Sequence, residues 1–566
     1  MGIISRIFVC QKKVLIRKFN YAALKEFKWN VPEKFNFAQD VIDKHATDPD
    51  TVKSIAFHHL SNRTGTRKWT YEEFSEDSKK YAAAILALGR ITRAVIVLPR
   101  IPEWWILNIA AMRTNTVLLP GTPQLTAKDL DKRLGVSKAD AVIVDEVTAQ
   151  KIEEVADIHE KTLKFKILIG GDANHRLKKK GWILFNDLLK QADIKDVPTL
   201  DTSSDQLMQI FFTSGTTGAP KMCAHTQGSY GYCHWVTGKW LGLERNSLHW
   251  NISDTGWAKS AWSNVFAPWT HAAGVFIHDM PRFEPQEVLK VLQNEPITTL
   301  CAPPTLYRSL VQIPDLDKFQ TIKHCISAGE PLNENVYRDW HQKTGLWIRE
   351  GYGQTETTLL AATFHGMKIK PGSMGKPAPG YDVRIVDDDA EELEINQEGN
   401  IAVYFGEGRE KGGLFAGYVD RPEMTASVFK KDFYFTGDRG YVDGDGYIWF
   451  TSRQDDVIIS AGYRIGPFEV ESALIEHPAV IESAVVGSPD QERGQVVKAF
   501  IILSPAYKSK IEGNEKAEAK LVTELQNHVK ATTAPYKYPR RIEFLDELPK
   551  TVSGKVRRTE LRSLEN

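Results

Sequence analysis

Leu207-Met208-Gln209-Ile210-Phe211-Phe212-Thr213-Ser214-Gly215-Thr216-Thr217-Gly218-Ala219-Pro220-Lys221 runs from a short apolar segment into hydroxyls and glycines and ends on a cation. The apolar part, Leu207 to Phe212, reads as a buried strand that roots the loop. Glycines let backbone amides turn toward a ligand, the Thr and Ser hydroxyls donate hydrogen bonds, and Lys221 adds a point charge. The nine residues Thr213 to Lys221 together predict a grip for a nucleoside triphosphate. For Ser-Gly-Thr-Thr alone, an ordinary surface turn competes. The Walker loop is excluded, because it needs four residues between its glycines and then Lys-Ser/Thr; here Thr216-Thr217 intervene and Ala219-Pro220 precede the lysine.

Working outward, 566 residues exceed one ordinary core and predict two or more domains. Lys plus Arg equals Asp plus Glu at 72 each, so no global field draws the chain to nucleic acid, and any polyanion site is local. The five cysteines, Cys10, Cys223, Cys233, Cys301 and Cys325, form no C-x-x-C pair and are odd in number. That argues against a zinc site or a disulfide framework and for a reducing compartment. No run of about 18 apolar residues exists, so no transmembrane segment is expected.

The first 25 residues carry Arg6, Lys12, Lys13, Arg17, Lys18 and Lys25 among Ile, Phe, Val and Leu, with no acid before Glu26. This is the character of a mitochondrial transit peptide, and residues 1–30 are read as a targeting segment. A basic surface helix is the competing reading. The apolar run Ile7 to Cys10 is too short for a secretory signal, and Arg6 stands where N-myristoylation needs Ser or Thr.

From about Phe35 onward, apolar runs such as Arg93 to Leu98, Ala141 to Asp145 and Phe165 to Ile169 alternate with helical stretches such as Tyr71 to Leu88. The fold class is therefore α/β, with parallel sheets covered by helices. After Gly366, strand candidates Tyr381 to Val386, Gly399 to Tyr404 and Gly446 to Thr451 separated by Asp/Gly turns predict a β-rich subdomain. A junction is placed at residues 454–457, dividing 31–453 from a smaller α+β unit, 458–566. In that unit an Ile465 to Leu474 helix, strands Ile481 to Val486 and Val496 to Leu503, and a Lys516 to Lys530 helix are expected.

Further motifs fit one nucleotide. In Arg349-Glu350-Gly351-Tyr352-Gly353-Gln354-Thr355-Glu356, Tyr352 could stack on a base, Thr355 contact a phosphate, and Glu356 hold Mg²⁺ as a hard oxygen ligand. Ser327-Ala328-Gly329-Glu330-Pro331 reads as another strand-to-loop edge. Asp438, in Tyr434-Phe435-Thr436-Gly437-Asp438, offers two acceptors to a ribose diol, with Arg453 as a cation on the same side.

In this order the motifs resemble the adenylate-forming superfamily of acyl-CoA synthetases, adenylation domains and luciferases, from about residue 35 to the end. Gly256-Trp257-Ala258-Lys259-Ser260-Ala261-Trp262, Gly462-Tyr463-Arg464-Ile465-Gly466-Pro467 and Ala534-Pro535-Tyr536-Lys537-Tyr538-Pro539-Arg540 are similar to mitochondrial medium-chain acyl-CoA synthetases. The resemblance implies a large N-terminal domain, a hinge near Asp455, and a small C-terminal domain that rotates between half-reactions. It also implies an ATP-dependent ligase for medium-chain and possibly aromatic acids, using ATP, CoA and Mg²⁺ in the mitochondrial matrix.

By the same resemblance, Lys555 in Pro549-Lys550-Thr551-Val552-Ser553-Gly554-Lys555 bridges acid and phosphate during adenylation. The ATP set is Thr213 to Lys221, Gly329, Glu330, Pro331, Glu350, Gly351, Tyr352, Gly353, Gln354, Thr355, Asp438, Arg453 and Lys555, with Lys555, Thr355 and Glu356 as the catalytic group. CoA is assigned Gln124, Ala461, Gly462, Tyr463, Arg464, Arg493, Lys530, Tyr538, Pro539 and Arg540. Thr355 and Trp257 face the acyl group, a bulky Trp257 limiting chain length. Trp262, Phe266 and Trp269 are divided evenly between tunnel wall and core. One methylene is worth only about 1–3 kcal/mol of discrimination, so a broad acid range is expected. Three alternatives remain: a carrier-dependent adenylation enzyme, disfavoured by the lack of a downstream carrier domain and by the cationic CoA set; a luciferase-like oxygenase, which shares the adenylation step and which the sequence does not exclude; and a silent binding protein, disfavoured by intact Lys221, Glu356, Asp438, Arg453 and Lys555.

Overall fold

The computed structural model describes residues 27–566 except 171–174, 214–219, 281–282, 331, 333, 407–410, 462, 492, 551–554 and 566. The segment read as a targeting signal thus lies outside the described residues up to 26, as do Ser214 to Ala219, Pro331 and Gly462.

Two large sheets build the N-terminal body. In the eight-stranded sheet, five strands run parallel to Leu207–Thr213: Val117–Pro120, Arg93–Val97, Ala141–Val144, Phe165–Leu168 and Trp182–Leu184. Their apolar residues are buried throughout Val117–Pro120 and Ala141–Val144, as strands covered on both faces require. In the nine-stranded sheet, Ile348–Gly353, His324–Ala328, Thr299–Ala302, Leu248–Asn251, Gly274–Asp279 and Ile55–Ser61 are parallel. The expected parallel arrangement is modified at the edges. Lys221–Thr226 folds back antiparallel on Leu207–Thr213, and Leu359–Ala362 folds back on Ile348–Gly353. In each case the chain returns directly from a site loop instead of crossing over through a helix.

The covering helices start where their sequences cap them. Tyr71–Leu86 opens on a capping box in which Thr70 accepts from the Glu73 amide and Glu73 reaches back to Thr70. A five-stranded antiparallel sheet follows, containing Asp382–Val386, Gly399–Tyr404, Phe433–Val442 and Ile448–Arg453. The smaller C-terminal domain packs Pro467–Ile475 and Glu515–Thr532 on a sheet led by the long hairpin Val480–Asp490 and Gly494–Leu503. Ile465 ends the strand Tyr463–Ile465, paired with Ile458–Ser460, and does not begin the helix. Gly466 and Pro467 delay the helix, since proline suits its first turn and cannot sit inside it.

Candidate active site

The candidate site forms where parallel strands end. Leu207–Thr213 leads into the loop that the sequence predicts as a phosphate grip, and the register Thr213↔Lys221 holds both of its ends. His324–Ala328 and Ile348–Gly353 end beside one another, Ala328 opposite Gly351. Gly329 follows at φ +108°, a conformation that favours glycine. At Gly353 a Cβ would lie 2.4 Å from the Thr358 carbonyl oxygen, so only hydrogen fits.

Asp438 is a node of the candidate site. Tyr352 Oη and Gln354 Nε2 each donate to its Oδ2 at 2.5 Å, and Arg453 Nε lies 3.2 Å from Oδ1. Burial pushes the Asp438 carboxyl up; Arg453, Tyr352, Gln354 and Lys555 pull it down. Tyr352 thus presents its hydroxyl to Asp438 while its ring packs, partly buried, against the neighbouring apolar cluster. Glu350 acts from behind the loop: its carboxylate accepts from Leu332 N at 2.9 Å and from the Tyr337 hydroxyl.

Glu356 Oε1 accepts from Tyr418 Oη at 2.8 Å, and Lys221 Nζ stands 5.4 Å from the centre of the Tyr418 ring. Lys221 and Glu356 thus share one aromatic neighbour, Tyr418. Among the described residues no group of three or more His, Cys, Asp or Glu side chains could hold a metal. A single carboxylate beside a triphosphate site fits Mg²⁺, which is commonly held by one or two carboxylates plus substrate phosphates.

The small domain brings Lys555 to this centre. Its charge acts both on Asp438 and on Lys259. Lys259 Nζ donates to the Ala328 carbonyl at 3.0 Å, and burial pulls its ammonium down. The helix Arg558–Ser563, directly after Lys555, is tied in twice. Arg558 Nη2 donates to both oxygens of buried Glu471 at 2.7 and 2.8 Å, and Arg562 Nη1 donates to Asp456 Oδ1 at 2.9 Å.

Trp257 is half-buried, Trp262 lies 6.2 Å from Trp240, and a Cβ on Gly351 would meet the Trp240 ring at 2.4 Å. Phe266 and Trp269 are fully buried in the core, with Trp269 Nε1 bonded to the Ala56 carbonyl. The CoA candidates assemble on the small domain in two groups. Lys530 and Arg540 both cover the Tyr538 ring, at 4.2 and 4.9 Å, and Gln526 Nε2 donates to the Pro539 carbonyl at 3.0 Å. The Ala461 amide donates to the Arg493 carbonyl at 3.0 Å, Arg464 pairs with Ile459, and half-exposed Tyr463 stacks on Tyr536. Gln124 belongs to the large domain, its amide bonded to Thr122 Oγ1. Sequence reasoning passed over Tyr418, Lys259, Trp240 and the Cys223/His225 pair; of these, only the alternation Lys221, Cys223, His225 on one strand face was readable beforehand.

Fold and site together are those of an adenylate-forming enzyme. The chain belongs to the AMP-binding enzyme family, which matches residues 43–419, and the AMP-binding enzyme C-terminal domain matches residues 469–555. It is 50% identical to mitochondrial acyl-coenzyme A synthetase ACSM3 of Mus musculus over 96% of this chain and 93% of that protein. Mitochondrial acyl-coenzyme A synthetase ACSM4 of Rattus norvegicus is 46% identical, covering 96% and 93% respectively. Among solved structures, the anthranilate CoA ligase AuaEII in complex with anthranoyl-AMP superposes with TM-score 0.82 at 26% identity, over 94% of this chain and 98% of that one.

Proposed function

We propose that this enzyme activates medium-chain carboxylic acids and admits flat aromatic ones, with Lys555 as the residue that joins acid and α-phosphate. The chain is an ATP-dependent acyl-CoA ligase. A carboxylate oxygen attacks the α-phosphorus of ATP, pyrophosphate leaves, and the CoA thiol then displaces AMP from the acyl carbon to give the thioester. The observation that supports the role of Lys555 is its place at the end of Pro549 to Lys555, as the last residue of the matched AMP-binding enzyme C-terminal domain (residues 469–555); its charge also bears on Asp438 and on Lys259. Two anions must meet there, and preorganised positive charge lowers that barrier.

Lys221 and the loop Thr213 to Lys221 hold the phosphates, Asp438 and Arg453 the ribose side, and Gly329, Glu330, Pro331 and Glu350 to Thr355 the rest of the nucleotide. Glu356 holds Mg²⁺, which when bound neutralises phosphate charge. The second half-reaction uses the other face of the small domain (458–566), turned about residues 454–457 relative to 31–453. Ala461, Gly462 and Tyr463 then line the thiol path; Arg464, Arg493, Lys530, Tyr538, Pro539, Arg540 and Gln124 contact CoA. Trp257 limits the acyl chain. The enzyme is mitochondrial, and residues 1–30 direct it to the matrix.

Acid-dependent ATP cleavage to AMP and pyrophosphate, with and without CoA, tests the reading across acetate, butyrate, hexanoate, octanoate, palmitate and benzoate. Thioester forming fastest from butyrate to octanoate is expected; a maximum at acetate or palmitate contradicts the chain-length assignment. Lys555→Ala is expected to slow adenylate formation about 100-fold or more while sparing thioester formation from supplied adenylate. Equal loss in both half-reactions overturns its role.

A further inference from the structure

Lys221, Cys223 and His225 alternate along the strand Lys221–Thr226 and therefore share one face. Lys221 opens that face beside Glu356 and Tyr418. The other two converge on a single backbone atom, the Thr355 carbonyl oxygen. His225 Nε2 lies 2.6 Å from it, Cys223 Sγ lies 3.4 Å from it, and the sulfur lies 3.7 Å from His225 Nε2. Both side chains are fully buried.

A carbonyl only accepts, so the hydrogen sits on Nε2. Burial holds the imidazole down at about 4, so near neutral pH the ring is uncharged and has one N–H to give. Nδ1 is buried with no partner among the described residues; the one donor is committed to Thr355. The ring is fixed by Tyr230, at 4.3 Å between centroids, and by Phe211 at 6.0 Å. Cys223 stays a thiol, its pKa pushed up by burial and then by the Glu356 charge. The same strand also reaches Glu356 indirectly, because Tyr418 pairs with Cys223 in register and donates to Glu356.

We propose that Cys223 and His225 are positioning residues for adenylation: two buried donors clamp the Thr355 carbonyl and fix the Thr355-Glu356 turn at a set distance from Lys221. Both are fully buried. They act by preventing the turn from sliding along the strand that carries the phosphate cation, a displacement to which catalysis is sensitive. This rests on the proposed roles of Glu356 and Lys221.

The test compares Cys223→Ala, Cys223→Ser, His225→Phe and Glu356→Gln in acid-dependent ATP–pyrophosphate exchange over a titration of free Mg²⁺. Thioester formation from supplied acyl-adenylate and thermal stability are measured alongside. Cys223→Ala and His225→Phe are expected to lower exchange kcat about tenfold and raise the half-saturating Mg·ATP concentration, with the second half-reaction changed less than about twofold. Cys223→Ser, which keeps a donor, is expected to recover most of the loss. Equal losses in both half-reactions, or equal effects of Ala and Ser, overturn the clamp. Should His225→Phe not fold, the Cys223 pair decides. If Glu356→Gln leaves the Mg²⁺ dependence unaltered, the metal role of Glu356 fails; if it alters that dependence while the Cys223 and His225 variants do not, the clamp fails.

Discussion

Tyr352 donates its hydroxyl to Asp438 Oδ2 at 2.5 Å across 86 residues of sequence, joining the Ile348–Gly353 strand end to the antiparallel sheet. Asp438→Ala would take the acceptor from the Tyr352 hydroxyl and the partner from Arg453, while Gln354 Nε2 keeps the Thr436 carbonyl at 2.8 Å. Unpaired buried donors cost about 1–3 kcal/mol each. KM for ATP is expected to rise roughly 10- to 100-fold, read by initial rates at saturating acid and CoA. An unchanged KM contradicts the node.

Gly353→Ala places a methyl 2.4 Å from a backbone oxygen that cannot swing away. The loop must shift by several tenths of an ångström, carrying Gln354 and Thr355 with it. A drop in adenylation of about tenfold or more is expected, with a melting temperature within a few degrees of the parent in differential scanning fluorimetry.

Arg558→Ala strips buried Glu471 of its cation, leaving among the described residues the Val485 amide on Oε1. Breaking a buried pair from one side typically costs about 3–5 kcal/mol; with Arg558 partly exposed, roughly 2–4 kcal/mol is expected. Urea unfolding followed on the small domain measures it. Arg558→Ala/Glu471→Leu should recover much of the loss, and a double variant no better than the single one contradicts the pairing.

Burial pushes the Glu350 carboxyl up to about 8, with the Tyr337 hydroxyl and the Leu332 amide pulling it down. The folded protein then keeps a proton that the unfolded chain releases near 4.5. Stability from this group is complete below that pH and is lost as pH rises through about 8. Glu350→Gln mimics the protonated acid, so its melting temperature relative to the parent should climb across that window. Each unit of displaced pKa is worth about 1.4 kcal/mol. Parallel curves would show that Glu350 is ionised when folded.

Elements whose pattern is local were legible in the sequence. The buried strand Leu207–Thr213, the strand Gly399–Tyr404 and the helix Glu515–Thr532 follow from apolar runs, alternation and capping residues. Motif residues that converge on Asp438 were legible because their types match one ligand. Tyr418 was not, because its value lies in contacts with Glu356 and Cys223 set by pairing between distant strands. His225 was hidden for the same reason: it meets Thr355 across 130 residues. The start of the helix Pro467–Ile475 was misjudged because the apolar character of Ile465 serves a hairpin equally well.

Asp456 lies within the proposed hinge, and its carboxylate is held by Arg562 at 2.9 Å, with Arg558 at 3.7 Å, on the helix that begins three residues past Lys555. On the proposed roles, a turn at residues 454–457 would carry the helix Arg558–Ser563 with it, and Lys555 three residues before that helix. Withdrawal of the ammonium and arrival of the proposed thiol-binding face would then be one event, and these ion pairs would order the two half-reactions by mechanical linkage.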